Sequence, residues 1–239
     1  MNSYMNFWDK IFNFFGGIWD SFYQSVIYDN RYEFIFEGLL NTIIIAIGAA
    51  IIGIVTALIR NNHDMNGKMK IGNKLSKWYV DIIRGTPSIL QLMIIYYVIF
   101  KSVNINIVIV GILAFGINSG AYVSEIIRAG INSVDKGQFE AGYGLGLSYG
   151  KVMRYIILPQ AFKNILPAMG NEFITLVKET AVGAYIGIVE LTKASDIIAS
   201  RTYDYFFPLI IIAIIYFAIT LSLTKLFSRI ERRLNNVRS

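Results

Sequence analysis

The chain has 239 residues, of which 55% are hydrophobic and 16% are charged, and its formal net charge is +6. Soluble domains carry about 25% charged residues, so this composition, with a mean hydropathy of +0.52, favours a membrane protein. The sequence contains no cysteine and one histidine, which excludes disulfides and thiol chemistry and argues against a metal site.

The first 34 residues are predicted to form an amphipathic segment at the membrane–water interface. Phenylalanine, tyrosine and tryptophan are dense in this segment, and such side chains collect at membrane interfaces. Asp9, Lys10 and Asp20 interrupt it, whereas a signal peptide needs an uninterrupted apolar region. The segment therefore does not resemble a signal peptide.

Apolar stretches downstream predict an all-α membrane protein with about five transmembrane helices. About 20 apolar residues cross the hydrocarbon core as a helix, and residues 39–59, 105–127 and 206–224 meet that length. Two further spans are inferred. Residues 88–100 are too few alone and span only if residues 78–84 extend them across a break at Gly85-Thr86-Pro87. Residues 165–191 are long enough but contain Pro167 and several charges, and the helix is expected to be interrupted around Pro167 and Gly170.

The distribution of basic residues predicts the topology. Lysine and arginine are frequent between the first and second spans, between the third and fourth, and after the fifth, and they are sparse in the segments between these. Because basic residues mark cytoplasmic segments, the N terminus is predicted to lie outside. The C terminus, with residues 236–239 as a short tail, is predicted to lie in the cytoplasm.

The segment between the third and fourth spans is rich in glycine and raises the question of nucleotide binding. A phosphate-binding loop needs Gly-x-x-x-x-Gly-Lys-[Ser/Thr]. Here Gly146 and the pair Gly150-Lys151 are one residue too close, and Val152 has no hydroxyl. A dinucleotide-binding loop would need a preceding buried strand, and none is predicted. The chain is therefore predicted to bind no nucleotide or other cofactor itself.

The same stretch is better explained as a helical hairpin. Residues 140–145 are predicted to form a short helix with Glu140 in its first turn, ended by Gly146 in a left-handed conformation. Ser148 can cap a second helix, with Val152, Tyr155 and Ile156 on one apolar face, until Pro159 stops or kinks it. A connecting hairpin and a docking surface for a partner both remain open from these features alone.

Several motifs together resemble the polar amino acid permeases of ABC importers, the type that takes up histidine, arginine or glutamine. The resemblance covers about residues 35–235. The motifs are the EAA-like Glu140-Ala141 with Gly146, Ile157-Leu158-Pro159 and then Gln160-Ala161, Arg84-Gly85-Thr86-Pro87 with Gln91, Glu125 to Gly130, and Gly170-Asn171-Glu172. The chain departs from the pattern at Gly142, where the family has a second alanine. Two helical glycines, Gly142 and Gly144, would weaken the short helix by about 1 kcal/mol each.

The resemblance implies a multi-pass permease subunit of the bacterial cytoplasmic (inner) membrane that imports polar, including basic, amino acids by alternating access. It implies a cytoplasmic coupling-helix hairpin at about residues 135–164, within a transmembrane domain of residues 35–235, that docks on an ATPase through Glu140, Ala141, Gly142, Gly146 and Pro159. The implied partners are two ATPase subunits, which bind ATP and magnesium, a second permease subunit (an identical or a related chain), and an extracytoplasmic binding protein. An ion-coupled secondary amino acid carrier is the alternative, although such carriers usually show internal repeats and this sequence shows none. A membrane-embedded enzyme is not favoured.

Polar residues inside the predicted spans are candidates for the substrate site, because intramembrane ionisable groups usually face cavities or each other. Glu172 is a candidate ligand for the cationic amine or side chain of an amino acid, or else an acid at a cytoplasmic helix end. Gln91, Asn118, Ser119 and Tyr122 are candidates for substrate lining or for hydrogen bonding between helices.

Charged residues near the span ends have structural or gating interpretations. Glu125 and Arg128 are three residues apart and are predicted to form an ion pair. Arg84 either extends to the interface or supports the broken helix. Lys178 and Glu179 are interpreted as neutralising or gating charges more than ligand contacts. His63 is expected in a solvated loop, and no metal site is predicted.

Overall fold

The computed structural model describes residues 16–66 and 70–236, and these residues are almost entirely helical, without a β-strand among them. The all-α fold class is thereby confirmed. Residues 1–15 of the predicted interfacial segment and residues 237–239 of the predicted tail lie outside the described residues. The elements are, in chain order: α1 (residues 16–22) with a π turn Tyr23–Ile27 and a 3-10 turn Tyr28–Asn30; α2 (Tyr32–Asn66); α3 (Lys70–Gly85); α4 (Ser88–Ile94) with a π turn Ile95–Ile99; α5 (Ile107–Asn132); α6 (Lys136–Gly144); α7 (Tyr149–Val152) with a π turn Met153–Ile157; α8 (Leu158–Glu179) with a 3-10 segment Thr180–Ile186; α9 (Leu191–Thr202); and α10 (Phe206–Asn236).

Three of the predicted spans are confirmed as single helices. Within the described residues, α2, α5 and α10 are long and apolar enough to cross a membrane. Most of α5 is buried, whereas α2 and α10 expose broad apolar surfaces. Such surfaces suit contact with lipid, which does not penalise an exposed isoleucine or leucine. His63, expected in a loop, falls in the helical backbone of α2.

The second predicted span, residues 78–100, is present in part. The chain breaks between Gly85 and Ser88 as predicted, but α3 and α4 meet at 110°. α3 therefore does not prolong α4 along one axis. Proline disfavours helical geometry in the residue before it, which accounts for the break. The angle between the two helices was not predicted, because hydropathy carries no information on the direction that the chain takes after a break. Counting this bent pair, the described residues contain at most four candidate spans, one fewer than the five predicted.

The prediction for the fourth span, residues 165–191, was wrong in one respect. We expected the helix to be interrupted around Pro167 and Gly170, but α8 runs without a break from Leu158 to Glu179 with Pro167 inside it. One proline removes one backbone hydrogen bond, and packed neighbours can compensate for that loss in a membrane bundle. The chain leaves helical geometry later, through the 3-10 segment that ends at Gly187, where φ is +91°.

The most extensive packing lies between α2 and α5, which form the centre of the bundle. A Cβ atom added to Gly116 would lie 2.7 Å from the Ile52 Cβ, and one added to Gly53 would lie 3.0 Å from the Ser119 Oγ. Small residues let membrane helices approach closely enough for van der Waals attraction to hold them together. This tight pair fixes Asn118 and Ser119 of α5 inside the protein, where both are buried.

Candidate functional site

The glycine-rich stretch forms two short helices between α5 and α8, as predicted, but its first helix starts earlier. α6 begins at Lys136, and the Asp135 Oδ1 accepts a hydrogen bond from the Gly137 N–H at 2.7 Å. Glu140 therefore lies in the middle of α6 instead of its first turn. The signal was available in the sequence, because aspartate is one of the preferred N-cap residues.

Gly146 ends this helix in the predicted left-handed conformation, with φ at +74°. The Gly146 N–H donates to the Tyr143 carbonyl at 2.9 Å, and the Leu147 N–H donates to the Gly142 carbonyl at 3.2 Å. This pair of bonds is the Schellman motif, which satisfies the last carbonyls of a helix. The tip of the hairpin thus has a defined shape, and Leu145 next to it is 77% exposed.

The second half of the hairpin differs from the prediction in two respects. Ser148 occupies the N-cap position of α7, but its side chain makes no cap hydrogen bond. Val152 is buried as predicted, whereas Tyr155 is exposed and Ile157 is buried instead. The reason is the π turn Met153–Ile157, which inserts an extra residue and rotates the next part of the helix relative to an α-helical pattern. Pro159 lies in the first turn of α8, a position that tolerates proline.

Close packing explains why position 142 holds glycine in this chain, where the related motif has alanine. A Cβ at this position would lie 2.8 Å from the Val152 Cγ2 and 3.0 Å from the Ile156 Cδ1, whereas a Cβ at Gly144 would meet nothing within 4 Å. The two arms of the hairpin therefore approach closely at Gly142. Glu140 and Ala141 are exposed on the outer surface of α6.

Glu172 projects into the centre of the bundle from α8. The Ser119 hydroxyl donates to the Glu172 Oε1 at 3.2 Å, and both residues line a mostly apolar cavity of about 210 Å³. Ser119 lies in the middle of α5, which disfavours the interpretation of Glu172 as an acid at a helix end. Phe227 of α10 closes the cavity beside Gly170.

The other predicted lining residues do not gather around Glu172. The Asn118 Nδ2 donates to the Gln91 Oε1 at 2.9 Å. The Gln91 Nε2 donates to the carbonyls of Ile83 at 2.7 Å and Thr86 at 3.1 Å. Gln91 thus satisfies backbone groups that the break between α3 and α4 leaves open, as membrane proteins require. Tyr122 lies elsewhere, with its ring 5.5 Å from the Arg84 guanidinium carbon.

Glu125 is the centre of a charge cluster larger than the predicted pair. The structure contains the contact with Arg128, whose Nε donates to both carboxylate oxygens at 3.2 Å. Arg60 approaches the same carboxylate at 3.1 Å and Arg84 at 3.5 Å. Arg60 was not among the predicted residues, because it is 65 positions from Glu125 and sequence spacing does not report such contacts.

Glu190 is a buried acid that the sequence analysis also missed. Its side chain is 0% exposed and caps α9, with the Thr192 N–H at 2.8 Å from Oε2 and the Lys193 N–H at 2.7 Å from Oε1. The Tyr216 hydroxyl of α10 donates to Oε2 at 3.0 Å. An N-cap position explains why an acid is stable here, since the helix dipole favours negative charge at that end.

The remaining predicted charges stand at the end of α8. Lys178 is exposed and Glu179 half-buried, and both belong to its last turn. In the part of the chain that the structure describes, no three histidine, aspartate or glutamate side chains are grouped as a metal site.

Membrane-length helices with polar side chains between them, and an exposed helical hairpin, are the architecture expected of a membrane transport permease. The chain belongs to the family of inner membrane components of binding-protein-dependent transport systems, whose family model matches residues 49–236. It is 42% identical over 205 residues to the arginine transport system permease protein ArtQ of Bacillus subtilis (strain 168), covering 85% of this chain and 93% of the relative. It is 40% identical over 203 residues to the putative glutamine transport system permease protein GlnP of Rickettsia typhi, with 84% and 93% covered.

Solved structures agree with this assignment. The crystal structure of an amino acid ABC transporter with histidines shares 45% sequence identity at a TM-score of 0.79, covering 84% of this chain and 94% of the other. An inward-facing MetNI methionine ABC transporter has the same fold at a TM-score of 0.70 and 18% identity, with 87% and 99% covered. The chain is thus a transport permease of the ABC-importer type, and the ion-coupled carrier is not supported.

Proposed function

We propose that this permease imports polar amino acids, basic ones among them, across the bacterial cytoplasmic membrane. The observation that carries the proposal is Glu172, a half-buried carboxylate at mid-depth beside a cavity, in a chain similar to an arginine transport permease. A carboxylate in an apolar surrounding attracts an ammonium or guanidinium group. The apolar walls suit the aliphatic part of such a substrate.

Energy for transport comes from separate ATPase subunits, which bind ATP and magnesium, and the hairpin is the segment that docks on them. Its tip is held by the two hydrogen bonds of the Schellman motif, and it presents Leu145 and Tyr143 as exposed apolar side chains beside Glu140. Exposed apolar side chains on a structured surface are typical of an interaction site. Two ATPases, a second permease subunit and an extracytoplasmic binding protein complete the proposed importer.

The packing of the hairpin explains how a push from the ATPase would reach the cavity. Val152, Met153 and Ile157 of the hairpin pack in one buried cluster with Ile165 of α8. Gly130 of α5 is so close to Ile165 that a Cβ there would lie 2.2 Å from its Cγ1. A tightly packed joint transmits displacement instead of absorbing it. Movement of the hairpin would therefore be passed on to the adjoining ends of α8, which carries Glu172, and α5, which carries Ser119, and would switch access to the cavity.

Leu145→Asp tests the docking role. We expect it to lower co-purification of the ATPase and ATP-driven uptake in liposomes by roughly tenfold or more, since truncating a central apolar contact in an interface costs about 2 kcal/mol. Tyr203→Asp is the matched control, because Tyr203 is 95% exposed and lies between α9 and α10. Equal ATPase association of both variants and the original chain would refute the docking assignment, and uptake driven by an ion gradient without any ATPase would refute the proposed function.

A further inference from the structure

The helix α3 packs against α5 at several positions, and the Tyr79 hydroxyl of α3 donates to the Ile117 carbonyl of α5. The Arg60 Nε donates to the Ser76 Oγ at 2.9 Å while its Nη1 lies 3.1 Å from the Glu125 Oε1, and Arg84 reaches the same carboxylate at 3.5 Å. Ser76 and Arg84 are eight positions apart, about 12 Å along a helix. Arg84 contacts Glu125 of α5 directly, and Ser76 is linked to the same residue through Arg60. α4 turns away from α3 by 110° and follows α5, with Gln91 bonded to Asn118.

α3 has three distinct faces. One faces the protein, and Val80 on it is buried. A second is apolar and exposed, with Leu75, Trp78 and Ile82 at 62%, 58% and 58% exposure. A third is exposed and charged, and it consists of Lys74, Lys77, Asp81 and Arg84. A helix with one charged and one apolar exposed face is typical of a membrane interface.

The charged face of α3 borders a cavity of about 470 Å³ beside α2 and α5. Two of its lining side chains are acidic and four are basic, so their net charge is +2. The acidic ones are Asp81 and Glu125, and the basic ones are Arg60, Lys77, Arg84 and Arg128. One carboxylate, Glu125, is shared by three guanidinium groups. The cavity therefore favours an anion, and planar guanidinium groups suit phosphate oxygens in particular.

We propose that this cavity binds the phosphate headgroup of an anionic phospholipid. The acyl chains lie along Leu75, Trp78 and Ile82 on the neighbouring face of the same helix. A soluble phosphate would account for the basic side chains but not for the adjacent apolar stripe. Contact of that stripe with lipid tails alone would not account for the basic cavity. Juxtamembrane basic residues attract anionic lipids of the cytoplasmic leaflet, and the lipid would steady α3 against the ends of α2 and α5.

Lipid retention tests the proposal directly. The full chain is purified from nanodiscs that contain phosphatidylcholine and phosphatidylglycerol in equal amounts, and native mass spectrometry counts the lipids that stay bound. We expect selective retention of phosphatidylglycerol, reduced about fivefold by Lys77→Gln, since each basic side chain near an anionic surface contributes about that factor. Lys101→Gln removes the same charge from the exposed loop after α4 and should leave retention unchanged.

Tryptophan fluorescence gives a second readout. The chain has three tryptophans, so the variant Trp8→Phe/Trp19→Phe keeps Trp78 alone. We expect brominated phosphatidylglycerol to quench Trp78 more strongly than brominated phosphatidylcholine at the same mole fraction, and Lys77→Gln to abolish the difference.

Three results would overturn the proposal. They are equal retention of the two lipids, equal retention by Lys77→Gln and Lys101→Gln, and displacement of phosphatidylglycerol by millimolar inorganic phosphate. The last would identify the cavity as a site for a soluble anion.

Discussion

At the scale of single residues, the two glycines of α6 have opposite roles. Gly144→Ala fills open space and should stabilise the hairpin by up to about 1 kcal/mol through helix propensity. Gly142→Ala gains the same propensity but forces a methyl group against Val152, and overpacking costs about 1–3 kcal/mol. Amide hydrogen exchange over residues 136–157 should therefore show slower opening for Gly144→Ala than for Gly142→Ala. The reverse order would show that the two arms are not closely packed at this point.

Glu172 allows a test of the substrate site. Glu172→Gln keeps the size of the side chain and its contact with Ser119 but removes the charge, so we expect uptake of arginine or lysine to fall at least tenfold, since a hydrogen bond to a charged group contributes about 1.5–3 kcal/mol. Uptake of an uncharged polar amino acid should fall less. Glu37→Gln, at an exposed position of α2, is the control. An unchanged ratio of cationic to uncharged uptake would remove Glu172 from the site.

Individual residues also show where sequence reasoning stops. The ion pair of Glu125 with Arg128 was predictable because the two share a helical turn. Its contacts with Arg60 and Arg84 join three different helices, and the sequence does not report which helices meet. Gln91 and Asn118 were recognised as polar residues inside spans. Their hydrogen bond to each other depends on the bend between α3 and α4, which no pattern in the sequence indicates.

At the scale of elements, helix existence was predicted well and helix direction was not. Long uncharged stretches identify α2, α5 and α10, because only a helix satisfies its backbone in lipid. The π turn before Pro159 and the 110° bend after Gly85 escaped the prediction, since both alter geometry without a distinctive hydrophobic pattern. The helix cap at Gly146 was predictable, because glycine readily adopts the left-handed conformation that ends a helix.

The junction of α9 with α10 depends on one carboxylate. Glu190→Ala removes the carboxylate that accepts from two backbone N–H groups of α9 and from the hydroxyl of the half-buried Tyr216. Losing a cap costs about 0.5–2 kcal/mol, and an unsatisfied buried donor costs a further 1–3 kcal/mol or so. Tyr216→Phe removes the hydroxyl that donates to Glu190 and keeps the cap. We expect the melting temperature in detergent to fall for both variants and clearly further for Glu190→Ala. Equal melting temperatures would mean that the cap contributes no stability.

At the scale of the whole molecule, contacts along α5 separate the two ends of the bundle. Gly111, near the start of α5, is so close to Ile188 that a Cβ there would lie 2.8 Å from its Cδ1, which places the segment before α9 at that end. The hairpin follows the other end of α5 directly. The end of α9 lies at the same end as the start of α5, because the Arg201 guanidinium carbon lies 4.6 Å from the ring centre of Phe34 at the start of α2, and Ile45 of α2 contacts Gly111. Leu145 and Tyr203 therefore lie at opposite ends of the bundle, and both are highly exposed.

The absence of cysteine from the sequence makes the orientation of these two ends directly testable. In intact cells, a membrane-impermeant thiol reagent should label Tyr203→Cys, which the distribution of basic residues predicts to lie outside. Leu145→Cys should react only after the membrane is opened, because a hairpin that docks on an ATPase must face the cytoplasm, where ATP is found. The unsubstituted chain serves as the blank, and in cells that express the permease without its ATPase a permeant reagent should label both variants. Labelling of Leu145→Cys in intact cells would reverse the topology, and a reversed topology would leave the hairpin with no access to ATP-driven partners.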